Sequence, residues 1–471
     1  MFIKDFLWGG AIASNQADGL YKYKKGTSIA DYRKFEKKTQ RDDRGEFTSV
    51  KFGEIDFDED ITANYPKRRG IHFHETYKED LQLMKEMGMK AFRTSIDWSY
   101  MFPTGKEEHP DENAVSFFGN LIDEIIKNGM EPIITLSHYE MPTTLVEELD
   151  GWYSKETIHH FVRYAKCCLD LYGNRVKYWI TFNQINMANF DSLGIRFTKH
   201  ENAYKAIYQG SHNQFVASSL VKKYAKSLKY DVMIGTMLSD KIAHAASCKP
   251  EDILFNLRKN QMQFLYPDVQ IRGEYPGYAL RYFKEKGIAI KMSDDEKQIL
   301  KENTMDYLSF SYYYTKINDA SKDDLDNMFV KSTNPYLEKS EWGWEIDPTG
   351  LRVALNTYND RYPGLPLFIT ENGFGAVDVV EEEKVHDMYR QNYVSKHIEQ
   401  IGEAIKDGCH VIGYLLWSPI DIVSCSSSEM TKRYGFIYVD LDDEGDGTGK
   451  RIKKDSFYWY QKLIRTNGRE R

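Results

Sequence analysis

Pro132-Ile133-Ile134-Thr135-Leu136-Ser137 is a short apolar run suited to a buried strand, and Val176 to Asn183 is a second. Between them Ile158, Phe161, Val162, Ala165, Leu169 and Tyr172 recur at helical spacing, with Gly173 as a stop. The same alternation extends outward in both directions. Further strand-like runs lie near Phe6-Leu7-Trp8, Ala91 to Ile96, Val232 to Leu238, Tyr307 to Tyr313, Leu367 to Thr370 and Val411 to Trp417. Another helical stripe, Val115, Phe118, Ile122 and Ile125, ends at Gly129. Strands buried on both faces read as continuous apolar stretches rather than alternating ones, as these do. Eight of them separated by helices is the pattern of an α/β fold closed as a (β/α)8 TIM barrel.

The chain has 471 residues, a length that barrels reach as one unit. It has no Pro- or Ser-rich linker and no internal repeat, so residues 1–471 are expected to form a single barrel domain. The charged stretch Arg33 to Lys67 reads as a long loop after the first strand, lying over the active-site mouth. A net charge of −8 argues against a nucleic-acid partner. Aromatic residues make up 14% of the chain, which suits sugar binding but also fills large cores. No signal peptide and no apolar run of about 18 residues is visible, so neither secretion nor a membrane span is expected. Cys167, Cys168, Cys248, Cys409 and Cys425 lack metal-type spacing and read as reduced thiols of a cytoplasmic protein.

Metal and phosphate-loop motifs fail on inspection. Asp440 to Gly445 opens like a calcium loop, but its twelfth position is Arg451. Gly449-Lys450 lacks the earlier glycine of a phosphate loop, that place being Glu444. His72 with His74, and His159 with His160, lack the i, i+4 spacing of a zinc site. No metal and no cofactor is expected. One carboxylate does stand out: Glu371 closes the run Phe368-Ile369-Thr370 ahead of Asn372-Gly373, where barrel enzymes carry their catalytic groups. Glycosidic cleavage commonly uses two carboxyl groups, one on each side of the anomeric carbon.

Across nearly its whole length the chain resembles glycoside hydrolase family 1. The resemblance is carried by Phe6-Leu7-Trp8-Gly9-Gly10-Ala11 with Gln16, Arg93-Thr94-Ser95-Ile96-Asp97-Trp98, Leu136-Ser137-His138, Thr181-Phe182-Asn183, Ile369-Thr370-Glu371-Asn372-Gly373 and Trp417-Ser418. It implies a retaining mechanism with Glu371 as nucleophile. Arg93 would favour its ionised form and Tyr313 would donate a hydrogen bond to it. Gln16, His138, Asn183 and Trp417 would line the sugar pocket, and Trp344 would flank the leaving group. Where the family carries the acid/base glutamate this chain has Gln184, an amide of similar shape with no usable proton. Losing general acid–base help costs about 10²–10⁴ in rate, so low turnover is expected. Three explanations stand. We place first a substitution engineered to trap substrate, since everything around it is intact. The others are adaptation to unusually good leaving groups, as in plant myrosinases, and a binding protein without turnover.

Many family members that take unmodified sugars have Glu and Trp seven and eight residues after the Trp417 position; here Ser424 and Cys425 stand there. With Lys432 and Tyr434 they resemble the 6-phospho-β-glycosidase branch, which implies that Ser424, Lys432 and Tyr434 hold a phosphate. Arg433 would face the other way in an extended segment. Cys425 and Ser137-His138-Tyr139-Glu140-Met141-Pro142 favour a gluco over a galacto substrate. The expected function is therefore 6-phospho-β-glucosidase activity on a small phosphorylated β-glucoside. The alternatives are 6-phospho-β-galactosides, unphosphorylated glucosides, or a non-catalytic sugar-phosphate binder.

Overall fold

The computed structural model describes residues 2–35, 57, 59–196, 199–326 and 332–470. Eight parallel strands close into a barrel: β1 (Leu7–Ala11), β2 (Ala91–Ser95), β3 (Glu131–Thr135), β4 (Tyr178–Ile180), β5 (Met233–Ser239), β6 (Tyr307–Ser311), β7 (Leu367–Asn372) and β8 (Val411–Trp417). Neighbours follow chain order and β8 closes on β1. In that closing pair Ala11 stands opposite Trp417, and on its other side Ala11 meets Arg93 of β2. Ser311 stands opposite Glu371. Residues spread over the whole sequence thus share one end of the barrel, the end where its strands finish.

All eight expected strands are present, but four stop short of the apolar runs that announced them. Ile96, Ser137, Asn183 and Tyr313 lie past the last ladder residue of their strands. There pairing has ended while Ile96 and Asn183 stay buried and Ser137 and Tyr313 half-buried, so composition runs on past the ladder. β7 does the opposite and runs on to Asn372, which places Glu371 inside the strand.

The helices follow from local signals as well as periodicity. In Glu112–Lys127 the Asp111 carboxylate accepts from the Asn113 and Ala114 amides, and Gly129 follows at φ +78°, a conformation that favours glycine. Glu156–Tyr172 buries Ile158, Phe161, Ala165, Leu169 and Tyr172 as the spacing predicts, while Val162 of the same stripe is half-buried at its edge. It also buries Tyr164, whose hydroxyl donates to the Ile96 and Leu136 carbonyls at 2.8 Å each. That pair of bonds pins the helix to the chain leaving β2 and β3. Gly173 keeps a right-handed φ of −63°, so it ends the helix without a left-handed cap.

Most of the Arg33–Lys67 segment, residues 36–56 and 58, lies outside the described residues. No helix among the described residues is long and apolar enough to cross a membrane. Among them no cluster of three or more His, Cys, Asp or Glu could hold a metal ion.

Candidate functional site

Glu371 is 2% exposed, and three elements hold its carboxylate. Arg93 Nη1 donates to Oε1 at 2.7 Å; Tyr313 Oη and Gln184 Nε2 donate to Oε2 at 2.9 and 3.3 Å. Arg93, itself fully buried, is fixed on its remaining edges by Thr135 Oγ1 (2.9 Å) and Asn183 Oδ1 (2.7 Å). Burial pushes the Glu371 carboxyl above its ordinary value, and Arg93, Tyr313 and Gln184 pull against that without overcoming it. The expectation that Arg93 favours the ionised form is right in sign for the pair, but desolvation sets the net direction.

Gln184 occupies the other side at a left-handed φ of +42°. Besides Glu371, its amide nitrogen donates to Ser311 Oγ at 2.7 Å, and its oxygen accepts from the Tyr139 hydroxyl at 3.2 Å. Tyr139 in turn accepts from Asn183 Nδ2. The amide is therefore engaged at both ends.

Gln16 and His138 show the signature of a pocket that expects a polar ligand. Gln16 Nε2 donates to the Val423 carbonyl at 2.7 Å, while Gln16 Oε1 and His138 Nδ1 are buried with no hydrogen-bond partner among the described residues. Leaving such atoms unpaired costs about 1–3 kcal/mol each. A sugar hydroxyl can supply the missing partner. Burial pushes the His138 imidazole well down, helped by the charges of Arg93 and Lys67, so the ring is neutral at physiological pH. A neutral ring offers one donor and one acceptor nitrogen. It stacks on Trp417 at 5.6 Å, a pairing that immobilises both rings at the pocket wall.

At the other end of the pocket, Ser424, Lys432 and Tyr434 are all buried. The Lys432 ammonium lies 3.9 Å from the centre of the Trp344 ring, and within 6 Å of the Trp342 and Tyr434 rings. Trp344 also packs on Tyr313 at 5.3 Å, so the ring expected beside the leaving group also carries the lysine. Burial pushes the Tyr434 hydroxyl well up, Glu429 and Cys425 add to this, and a hydrogen bond with Ser424 opposes it. Arg433 does face away: its guanidinium bonds Asp421 and the Val439 and Leu441 carbonyls.

Two glycines join this end to Glu371. A Cβ on Gly373 would sit 1.8 Å from the Trp417 carbonyl oxygen, so only glycine lets the chain leaving β7 pass β8. A Cβ on Gly375 would meet Lys432 Cε at 3.0 Å and Tyr434 Cε1 at 3.3 Å. Lys432 and Tyr434 thus pack on the chain four residues past Glu371. Tyr313 lies within the electrostatic reach of both Glu371 and Tyr434.

The family model for glycosyl hydrolase family 1 matches residues 1–469. The chain belongs to that family. It is 46% identical over 476 residues to the aryl-phospho-beta-D-glucosidase BglH of Bacillus subtilis (strain 168), covering 99% of this chain and 98% of that protein. It is 41% identical over 481 residues to the 6-phospho-beta-glucosidase AscB of Escherichia coli (strain K12), covering 100% and 99%. Among solved structures, a family 1 β-glucosidase from Thermotoga maritima superposes with a TM-score of 0.83 at 27% identity, covering 100% and 99%. The chain is thus a glycosidase by family.

Sequence reasoning in this family member missed several contacting residues. Ser311 and Thr135 lie two residues before Tyr313 and Ser137, a spacing that puts side chains on one face of a strand and that could have flagged them. Tyr139 sits inside a quoted motif without a role. Nothing in local sequence marked Lys67, whose ammonium donates to the Cys425 carbonyl at 2.8 Å.

Proposed function

We propose that this family 1 chain is a retaining 6-phospho-β-glucosidase, a single catalytic domain whose turnover is held low by Gln184. The observation that carries the reading is the packing of Lys432 and Tyr434 over Gly375, next to the strand that bears Glu371. One hexose can then present carbon 1 to the carboxylate and a 6-phosphate to the lysine. Ser424 and Tyr434 hydroxyls with the Lys432 ammonium form a charge-assisted donor set for a dianion. The names of the relatives, phospho-β-glucosidases, support the same substrate class.

In the reaction a Glu371 oxygen forms a bond to carbon 1 as the bond from carbon 1 to the leaving oxygen breaks, giving a glycosyl-enzyme ester. The leaving oxygen takes the electron pair and needs a proton. Gln184 has none to give, so only groups stable as anions depart readily. Water then attacks carbon 1, the bond from carbon 1 to Glu371 breaks and returns its carboxylate, and with no base at position 184 the water's proton passes to solvent. The close approach of Gln184 to Glu371, 3.3 Å between nearest atoms, supports the short separation of a retaining site over the wide one that an inverting site needs. Cys425 and the run around His138 favour glucose over galactose.

Turnover of 4-nitrophenyl β-glucoside with and without a 6-phosphate tests the reading, using the Gln184→Glu variant so that rates are measurable. The phosphorylated substrate is expected to have a kcat/KM at least about a hundredfold higher, the scale of a charge-assisted phosphate contact. Lys432→Met is expected to erase that difference. Equal kcat/KM for the two substrates would overturn the phosphate assignment.

A further inference from the structure

We propose that Lys67 is a specificity-determining residue of the phosphate end: it fixes the Ser424–Cys425 turn through the Cys425 carbonyl and gives that wall a positive charge which a sugar phosphate, unlike a plain sugar, can answer. The inference rests on the reading of Ser424, Lys432 and Tyr434 as the phosphate site.

Lys67 lies in the short helix Pro66–Arg69 and is 5% exposed. Its Nζ donates to the Cys425 carbonyl oxygen, one residue past Ser424, and this is its single hydrogen bond among the described residues. No carboxylate among them comes within ion-pair distance. Away from the phosphate end the buried lysines behave differently: Lys25 is paired with Asp31 at 2.6 Å and Asp97 at 3.3 Å, Lys222 with Asp306 at 2.5 Å, and Lys454 with Asp378 and Asp421. A buried ammonium with only a carbonyl for company is costly, because desolvation is not repaid by an opposite charge.

The surroundings strengthen the point. Burial pulls the Lys67 ammonium down to about 8; Cys425, Asp31 and Glu140 oppose this, while the neighbouring Arg33 adds to it. Arg33, whose charge burial also disfavours, lies near Cys425 and Tyr139. Two cations therefore stand behind the turn that carries Ser424. Lys67 is also near enough to His138 for its charge to push the imidazole down. A phosphate ester is a dianion above its second pKa of about 6. Bound at Ser424, it would supply the counter-charge that Lys67 lacks among the described residues.

Calorimetric binding to the full chain tests this, with glucose 6-phosphate and phenyl β-D-glucoside as probes. The proteins compared are the parent, Lys67→Met and Lys67→Arg. Lys67→Met is expected to weaken glucose 6-phosphate roughly ten- to a hundredfold, the scale of one nearby unit charge at partial screening. Phenyl glucoside should change little, and Lys67→Arg should recover much of the loss. Between pH 7 and 10 the probe stays dianionic, so affinity reports the protein's charges. Glu140, pushed up to about 8 by burial, ionises in the same window but is present in all three proteins. The parent's affinity should therefore fall more steeply above pH 8 than that of Lys67→Met. Unchanged binding of glucose 6-phosphate by Lys67→Met overturns the inference, as does an equal loss for both probes, which would mean a merely structural role. A parent that fails to prefer glucose 6-phosphate refutes the phosphate site itself, a separate outcome.

Discussion

Replacing Gln184 with glutamate changes one nitrogen for an oxygen at the point where chemistry should be decided. In the structure that nitrogen lies 3.3 Å from Glu371 Oε2 and 2.7 Å from Ser311 Oγ. An introduced carboxyl would stand there, and two carboxylates so close cannot both ionise. Arg93 and Tyr313 hold the Glu371 charge, so the newcomer keeps the proton at neutral pH and becomes the acid. Once Glu371 is esterified its charge is gone, the partner's pKa falls, and the same group serves as base. The gain should be about 10²–10⁴, or roughly 3–5 kcal/mol of barrier. It should fall unequally. The assay is kcat/KM on two 6-phospho-β-glucosides, one with a 2,4-dinitrophenolate leaving group and one with an alkoxide. This ratio reports the steps through the first irreversible one, so slow deglycosylation does not mask it. The alkyl substrate should gain the full factor and the dinitrophenyl substrate little, since that phenolate leaves unprotonated. An equal gain on both, or none on either, would refute the placement of position 184 as the proton donor.

Two further outcomes follow from the charges. Tyr313→Phe removes a donor to Glu371 Oε2, and should lower kcat/KM roughly ten- to a hundredfold, the scale of a hydrogen bond to a charged group. Because that bond helps hold the Glu371 pKa down, the acid limb of the pH–rate profile should move to higher pH in the variant; a limb that stays put would contradict the assignment. Asp18 is 1% exposed, with Oδ1 unpaired among the described residues, and burial pushes its carboxyl up to about 8. A raised folded-state pKa contributes stability below the unfolded value that is lost as pH rises toward 8, at most about 1.4 kcal/mol per pH unit. Asp18→Asn should therefore lose less Tm than the parent between pH 5 and 8 in scanning calorimetry; parallel curves would refute it.

The barrel was legible because each of its strands is buried on both faces, which writes a continuous apolar run that needs no partner to be recognised. Val411–Trp417 is the clearest case, matching the observed strand end to end. Glu371 was legible for the opposite reason: a charge closing such a run has a cost that function must justify. What stayed hidden are residues whose meaning depends on distant chain. Thr135 matters because it braces a guanidinium from β2, and Lys67 because its ammonium reaches a carbonyl 358 positions away. Neither contact leaves a local pattern. The net rise of the Glu371 pKa was hidden as well, since sequence names the neighbouring cation but not the depth of burial that outweighs it.

The way this protein treats buried charge elsewhere gives the Lys67 wall its meaning. Behind the segment that carries Lys432 and Tyr434, three acids and three bases are buried together: Asp378, Asp387 and Asp421 with Arg390, Arg433 and Lys454. The set is balanced. Arg390 also donates to the Arg433 carbonyl at 3.0 Å, while Ala376 and Arg433 exchange backbone hydrogen bonds at 2.9 and 3.0 Å. The chain leaving the strand of Glu371 is thereby fastened to the chain that would grip a phosphate. Such networks add little net stability against an apolar alternative, but breaking one partner costs several kcal/mol, so they hold a geometry. A substrate fixed at carbon 1 and at its 6-phosphate needs that rigidity, because an error in span is an error in attack distance. A fold that pairs its buried charges so completely behind Lys432 and Tyr434, and gives the buried Lys67 ammonium no carboxylate among its described residues, has a place for an anion it does not itself contain.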